Sequence, residues 1–102
     1  MLRSEPPVET KAENKFRLWV EKERKELCFK INPLGRAGLP DRIIVGKDRL
    51  IFFIEFKRAG KTPRKLQTYI HKLLREFGFN VYVCYSLEEA QEAYWKERAA
   101  LW

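Results

Sequence analysis

Cysteine and histidine are scarce in this 102-residue chain, which has two cysteines, Cys28 and Cys84, and one histidine, His71. Three such residues cannot supply the four ligands of a structural zinc site. Both cysteines sit in hydrophobic, strand-like runs, where they read as small buried apolar residues rather than halves of a disulfide. No apolar run is longer than Leu50 to Ile54, far below the roughly 18 residues a membrane-spanning helix needs. The N-terminus is polar and carries Pro6-Pro7, unlike a signal peptide. Internal repeats, low-complexity segments and a Ser/His/Asp arrangement are also missing. Together these absences point to an intracellular, reduced protein with no membrane partner. Acid is missing from one stretch in particular. Between Phe56 and Arg75 there are seven Lys or Arg and no Asp or Glu.

What is present is enough for one domain with a real core. Apolar residues make up 45% of the chain, including seven Phe, three Trp and four Tyr, so folding needs no disulfide staples. The formal charge is +7 and the pI about 9.6, which favours a polyanionic partner. The charge is segregated: Glu88, Glu89, Glu92 and Glu97 gather near the C-terminus, opposite in sequence to the basic stretch. Segregation creates a directional field that a scattered excess would not.

Residues 1–8 read as a flexible arm and residues 9–102 as a single domain. Ala12, Phe16, Trp19 and Val20 recur at helical spacing and predict a helix from Glu9 to Glu26. Leu27, Phe29 and Ile31 alternate with Cys28, Lys30 and Asn32 as a strand does. After a loop from Pro33 to Pro40, strands are expected at Asp41 to Gly46 and Arg49 to Lys57. Thr62-Pro63 is suited to open a helix whose apolar stripe is Leu66, Tyr69, Ile70, Leu73, Leu74 and Phe77, with Gly78 as its stop. Phe79 to Tyr85 reads as a strand, and the capping box from Ser86 to Glu89 opens a last helix to Leu101. The order is αβββαβα, an α/β fold with a mixed sheet flanked by helices.

Within this frame two acidic motifs stand about fourteen positions apart, Gly38-Leu39-Pro40-Asp41 and Glu55-Phe56-Lys57. Leu50, Phe52, Ile54 and Phe56 form one apolar face of their strand, while Glu55 and Lys57 share the other. If a three-residue loop, Lys47 to Arg49, joins the two strands, Gly46 pairs with Leu50 and Asp41 falls opposite Glu55. Their Cβ atoms would then lie about 4.5–5.5 Å apart. A two-residue turn would shift the pairing by one and separate them. Two carboxylates so close repel unless a cation lies between them. Mg²⁺ or Mn²⁺ would remove that penalty, and Mg²⁺ takes one or two protein carboxylates while keeping several waters. Lys57 could then orient water or stabilise charge on phosphate. Against this stands the plainer reading of Glu55 and Lys57 as a solvated pair on an exposed sheet face.

The order of motifs resembles the virus-type replication-repair nuclease domain, a branch of the PD-(D/E)xK nuclease superfamily with its restriction-endonuclease-like core. The resemblance runs from about residue 9 to residue 90, and its most specific part is Gly38-Leu39-Pro40-Asp41 with Glu55-Phe56-Lys57. It implies that Asp41 and Glu55 are metal ligands and that Lys57 is the catalytic lysine of the motif. Glu13, or Glu9 one helical turn away, would complete the site directly or through water, and Gln67 would lie beside it on the second long helix. The plainer readings are an exposed helix glutamate and a polar flank of the apolar stripe. His71, four residues beyond Gln67, is expected to be solvated. The resemblance implies Mg²⁺- or Mn²⁺-dependent DNA cleavage, repair-related activity on branched DNA such as Holliday junctions, and a homodimer. Stand-alone members occur in bacteriophages, which would place the protein in a host cell's cytoplasm.

Arg36, Arg42, Arg58, Lys61, Arg64, Lys65 and Lys72 are expected to grip DNA phosphates, with Arg75 on the same rim. Such contacts give affinity and salt dependence but no sequence reading. Tyr94, Trp95, Leu101 and Trp102 are candidates either for a dimer interface or for simply covering the sheet. Two rival functions remain at this level. One is a nucleic-acid-binding module without catalysis. The other is a nuclease acting on flaps, nicks, plain duplex or a restriction site.

Overall fold

The computed structural model describes residues 10–31 and 37–102. The expected arm at residues 1–8, together with Glu9 and Arg36, lies outside the described residues. The first helix, α1 (Lys11–Leu18), starts where Thr10 caps it: the hydroxyl oxygen accepts from the Glu13 amide at 2.9 Å. It continues as a π-helical turn, Trp19–Glu23, that carries Val20 into the core. The helical run ends short of the expected Glu26 because Lys25 adopts a left-handed φ of 58°, turning the chain into strand β1 (Leu27–Lys30).

Next come β2 (Arg42–Gly46), a 3-10 turn at Lys47–Arg49, β3 (Leu50–Phe56), α2 (Lys65–Glu76), β4 (Asn80–Cys84) and α3 (Leu87–Ala100). The order αβββαβα matches the sequence pattern, and the fold is α/β. The four strands lie in the order β1-β2-β3-β4, with the first three antiparallel and β4 parallel to β3. A parallel pair cannot be closed by a tight turn, and α2 provides the crossover. It begins two residues later than Thr62-Pro63 suggests. The Arg64 amide donates to the Gln67 side-chain oxygen at 2.9 Å, which fixes Arg64 as the N-cap.

The core fills the space between one sheet face and α1 with α3. From β3 it takes Leu50, Phe52, Ile54 and Phe56, the face expected to be apolar. Phe16, Val20, Ile44, Ala90, Ala93 and Tyr94 complete it, together with both cysteines, which are free and buried. Burial pushes each thiol pKa up to about 12, so both are inert at neutral pH. Tyr94 therefore covers the sheet and is no interface residue, whereas Trp102 is 81% exposed.

The opposite sheet face is only partly covered. There α2 packs against β4 and buries Ile70, while Leu27, Phe29 and Ile51 remain open. Leu66, Tyr69 and Phe77 of the expected helix stripe are also exposed. The buried side of α2 is centred on Ile70 and His71 instead.

A second buried group fixes the β2–β3 turn. The Glu26 carboxylate accepts from the Tyr94 hydroxyl, from Arg98 at 2.5 Å and from the Lys47 amide at 3.0 Å. Arg98 also donates to the Lys47 carbonyl at 2.9 Å. One carboxylate thus ties the end of the first helical run to α3 and to the hairpin. It lies so close to Gly46 that a Cβ there would sit 2.5 Å from its carboxyl carbon. Gly46→Ala should displace Glu26, leave Arg98 poorly paired, and lose about 2–4 kcal/mol in urea unfolding. A loss below ~0.5 kcal/mol, the ordinary surface value, would show that this carboxylate does not hold the turn.

Candidate active site

The hairpin register decides the geometry of the site. Gly46 pairs with Leu50 across the three-residue turn, and the ladder continues to Arg42 opposite Ile54. Carried one step further, that register sets Asp41 opposite Glu55, as the three-residue loop predicts, and the Asp41 carboxylate reaches the Phe56 amide. Asp48 and Arg49 take φ of 60° and 64° to make that turn, an uncommon conformation for side-chain-bearing residues. Asp41 is held at the strand entrance on both sides. Its Oδ2 accepts from the Phe56 amide at 2.8 Å, and its carbonyl accepts from the Ile31 amide at 2.9 Å. The preceding loop is pressed on α2 at Gly38 (φ 92°), where a Cβ would lie 2.8 Å from Leu66 Cγ and 2.9 Å from Ile70 Cγ1.

Glu55 is not a solvated residue: it is 2% exposed. Its Oε2 accepts from Gln67 Nε2 at 3.0 Å and lies 3.3 Å from Lys57 Nζ. Its Oε1 is buried and has no hydrogen-bond partner among the described residues. Desolvation and the neighbouring Asp41 push the Glu55 pKa up to about 7, against the opposing pull of Lys57 and Gln67. The Asp41 pKa is also raised, chiefly by burial and further by Glu13, while the Phe56 amide and the Lys30 and Lys57 charges oppose the shift. A buried carboxylate oxygen without a partner is costly. A divalent cation between Asp41 and Glu55 would satisfy it, so the residues present fit such an ion. Among the described residues no group of three or more His, Cys, Asp or Glu is placed to hold a metal. Two carboxylates with the rest of the shell left to water suit Mg²⁺ better than a site made wholly of protein ligands.

The other expected site residues divide. Gln67 is beside Glu55, with its amide oxygen on the Arg64 N–H and its amide nitrogen on the carboxylate. The cap of α2 and the orientation of Glu55 are therefore one device. Glu13 is buried, but its Oε2 takes Arg42 Nε at 2.8 Å and Lys30 Nζ at 3.1 Å. Its charge is matched by two cations, which argues against direct ligation and leaves a field effect on Asp41. Strand parity explains the arrangement. Arg42 alternates with Asp41, so it points to the α1 side of the sheet, and Lys30 pairs with Arg42 across β1 and β2.

The same parity corrects the expectation that Arg42 grips DNA. At 3% exposed and ion-paired to Glu13, it is a buried structural cation. Arg58, Lys61, Arg64, Lys65 and Lys72 are exposed as expected, with Lys72 in a loose pair with Glu76 at 4.0 Å. Arg75 reaches back to the Val81 carbonyl at 2.7 Å and so braces α2 on β4.

His71 was expected in solvent and is 2% exposed instead, with Nε2 buried and without a hydrogen-bond partner among the described residues. Burial, then Arg75 and Lys57, lowers its pKa, which favours the neutral ring. Its position four residues after Gln67 was the signal in the sequence, since that spacing shares a helix face. The role of Lys30 carried a weaker signal, its alternation with core residue Cys28.

Comparison with known proteins bears on the fold. No model of a known protein family matches the sequence, and no curated protein matches it. Among solved structures, a chain described as a VRR_NUC domain superposes with a TM-score of 0.65 and 24% identity, covering 81% of this chain and 94% of that one. The chain shares the fold of that VRR_NUC domain, which among the described residues is a mixed four-stranded sheet with three helices.

The raised Glu55 pKa fixes a sign. The folded value of about 7 lies above the ordinary carboxylate value of 4.5, so folding favours the protonated form. The stability this gives is full below pH ~4.5 and is lost as pH rises through about 7. Glu55→Gln should therefore stabilise the metal-free protein above pH 7 by about 1–3 kcal/mol, with the gain fading toward pH 5 in unfolding curves. A cation must displace the same proton. Calorimetry with Mg²⁺ should show affinity rising between pH 6 and 8 with proton release, and Glu55→Gln should abolish both.

Proposed function

We propose that this chain is a Mg²⁺- or Mn²⁺-dependent endodeoxyribonuclease that hydrolyses phosphodiester bonds in branched DNA, Holliday junctions among them. The observation that carries this reading is the buried, unpartnered Glu55 Oε1 facing Asp41 beside the Lys57 ammonium. The fold of a VRR_NUC domain and the basic stretch that follows β3 support it.

In this reading Asp41 and Glu55 hold the metal, which when bound neutralises phosphate charge and makes water a better nucleophile. The Phe56 amide and Gln67 keep the two carboxylates oriented before substrate arrives. Lys57 is half-buried against Glu55, so its ammonium is positioned rather than free to wander. There it can stabilise charge developing on the attacked phosphate. Exposed Arg58, Lys61, Arg64, Lys65 and Lys72 supply backbone contacts, which recognise DNA by shape and charge. A homodimer would set two such sites on two strands. The open apolar surface at Leu27, Phe29 and Ile51, with exposed Leu101 and Trp102, supports self-association.

Asp41→Ala and Lys57→Ala should each lower cleavage of a four-way junction by at least ~10³-fold. Circular dichroism and junction binding should stay close to wild type, and EDTA should abolish wild-type cleavage. Full activity of either variant, or cleavage in EDTA, would remove the assignment.

A further inference from the structure

A pocket of about 400 Å³ opens where β3 ends, lined by Phe56 and Lys57, the two residues that follow Glu55. Its described lining includes four cations, Lys57, Arg58, Lys61 and Arg64, together with Thr10 and Thr62, and no acid. Two helices begin at its wall: Thr10 is the N-cap of α1 and Arg64 the N-cap of α2. Helix starts present unpaired N–H groups and partial positive charge. Arg58, Lys61 and Thr62 are exposed, so the cations meet solvent there rather than a protein carboxylate. Lys57 connects the two places, lining the pocket while its Nζ sits 3.3 Å from Glu55 Oε2. Phe56 does the same through the backbone, since its amide holds Asp41.

Such a recess is a poor match for the middle of a continuous duplex. Phosphates there carry one charge each and run along a convex rod. A pocket of this size suits a small ligand, such as one phosphate with its sugar. Four cations and two helix starts suit a group of higher charge. A phosphomonoester carries about −1.5 to −2 at neutral pH and has three acceptor oxygens. We propose that this pocket binds the terminal phosphate of a DNA strand end, so that the protein selects nicks and other ends whose phosphate lies next to the cleavage position. The inference rests on the nuclease reading for its place in the reaction, but the binding preference stands apart from catalysis.

The test is anisotropy binding of nicked duplexes in EDTA, where no cleavage interferes. The nick carries a 5′-phosphate, a 3′-phosphate, or hydroxyls only, and the protein is wild type, Arg58→Ala or Lys61→Ala. One phosphate-bearing nick should bind at least ~10-fold more tightly than the hydroxyl nick, and which end is preferred identifies the strand polarity in the pocket. In both variants that ratio should fall to within ~2-fold, even where overall affinity also drops. A wild-type ratio near one, or a ratio preserved in both variants, would overturn the proposal. Because the readout needs no cleavage, inactivity toward junctions would count against the nuclease reading and leave this result interpretable.

Discussion

The site depends on a repulsion that the fold holds in place. Asp41, at the entrance to β2, lies next to Glu55 of β3, and its charge adds to burial in raising the cost of ionising Glu55, while burial and Glu13 raise that of Asp41. Left alone, such a pair would take up a proton or splay apart. Here hydrogen bonds oppose splaying, and Glu55 takes up a proton as pH falls through about 7. Asp41 is pinned by the Phe56 amide, Glu55 is pinned by Gln67, and Lys57 pulls Glu55 toward its charged form. What remains is the buried Glu55 Oε1, with no donor among the described residues. The arrangement is costly as it stands, and the proposed divalent cation would relieve it.

Two electrostatic groups elsewhere keep that arrangement in register. On the α1 side of the sheet, Glu13 neutralises Arg42 and Lys30, the cations that parity forces inward next to Asp41. At the far end of the hairpin, Glu26 gathers Tyr94, Arg98 and the Lys47 amide around the turn that sets the pairing. A slip of one residue at that turn would send Asp41 and Glu55 to opposite faces. The stability of the turn and the chemistry at the opposite end are therefore coupled through the strands.

Much of this was legible in the sequence because it followed from short periods. Alternation in Leu50 to Phe56 gave the buried face and placed Glu55 with Lys57 on the other. The three residues between Gly46 and Leu50 gave the register. The Gly38 to Asp41 and Glu55 to Lys57 motifs then gave the fold's resemblance. What failed was whatever depended on a partner from another element. Arg42 looked like a surface cation because its neutraliser, Glu13, lies 29 residues away. His71 looked solvated because α2 buries a narrower side than its hydrophobic pattern suggests, with Leu66, Tyr69 and Phe77 left outside. The late start of α2 came from Gln67 capping it, a use of that side chain that Thr62-Pro63 masked. The basic recess is built from two helix starts and a loop, and no linear pattern announces such convergence.

The most direct measurement is anomalous diffraction from crystals of the protein soaked in Mn²⁺. The account predicts one strong peak beside the Asp41 and Glu55 carboxylates, with Gln67 still on Glu55. A crystal with no peak there at saturating Mn²⁺, or with Glu55 Oε1 turned to another protein donor, would contradict it.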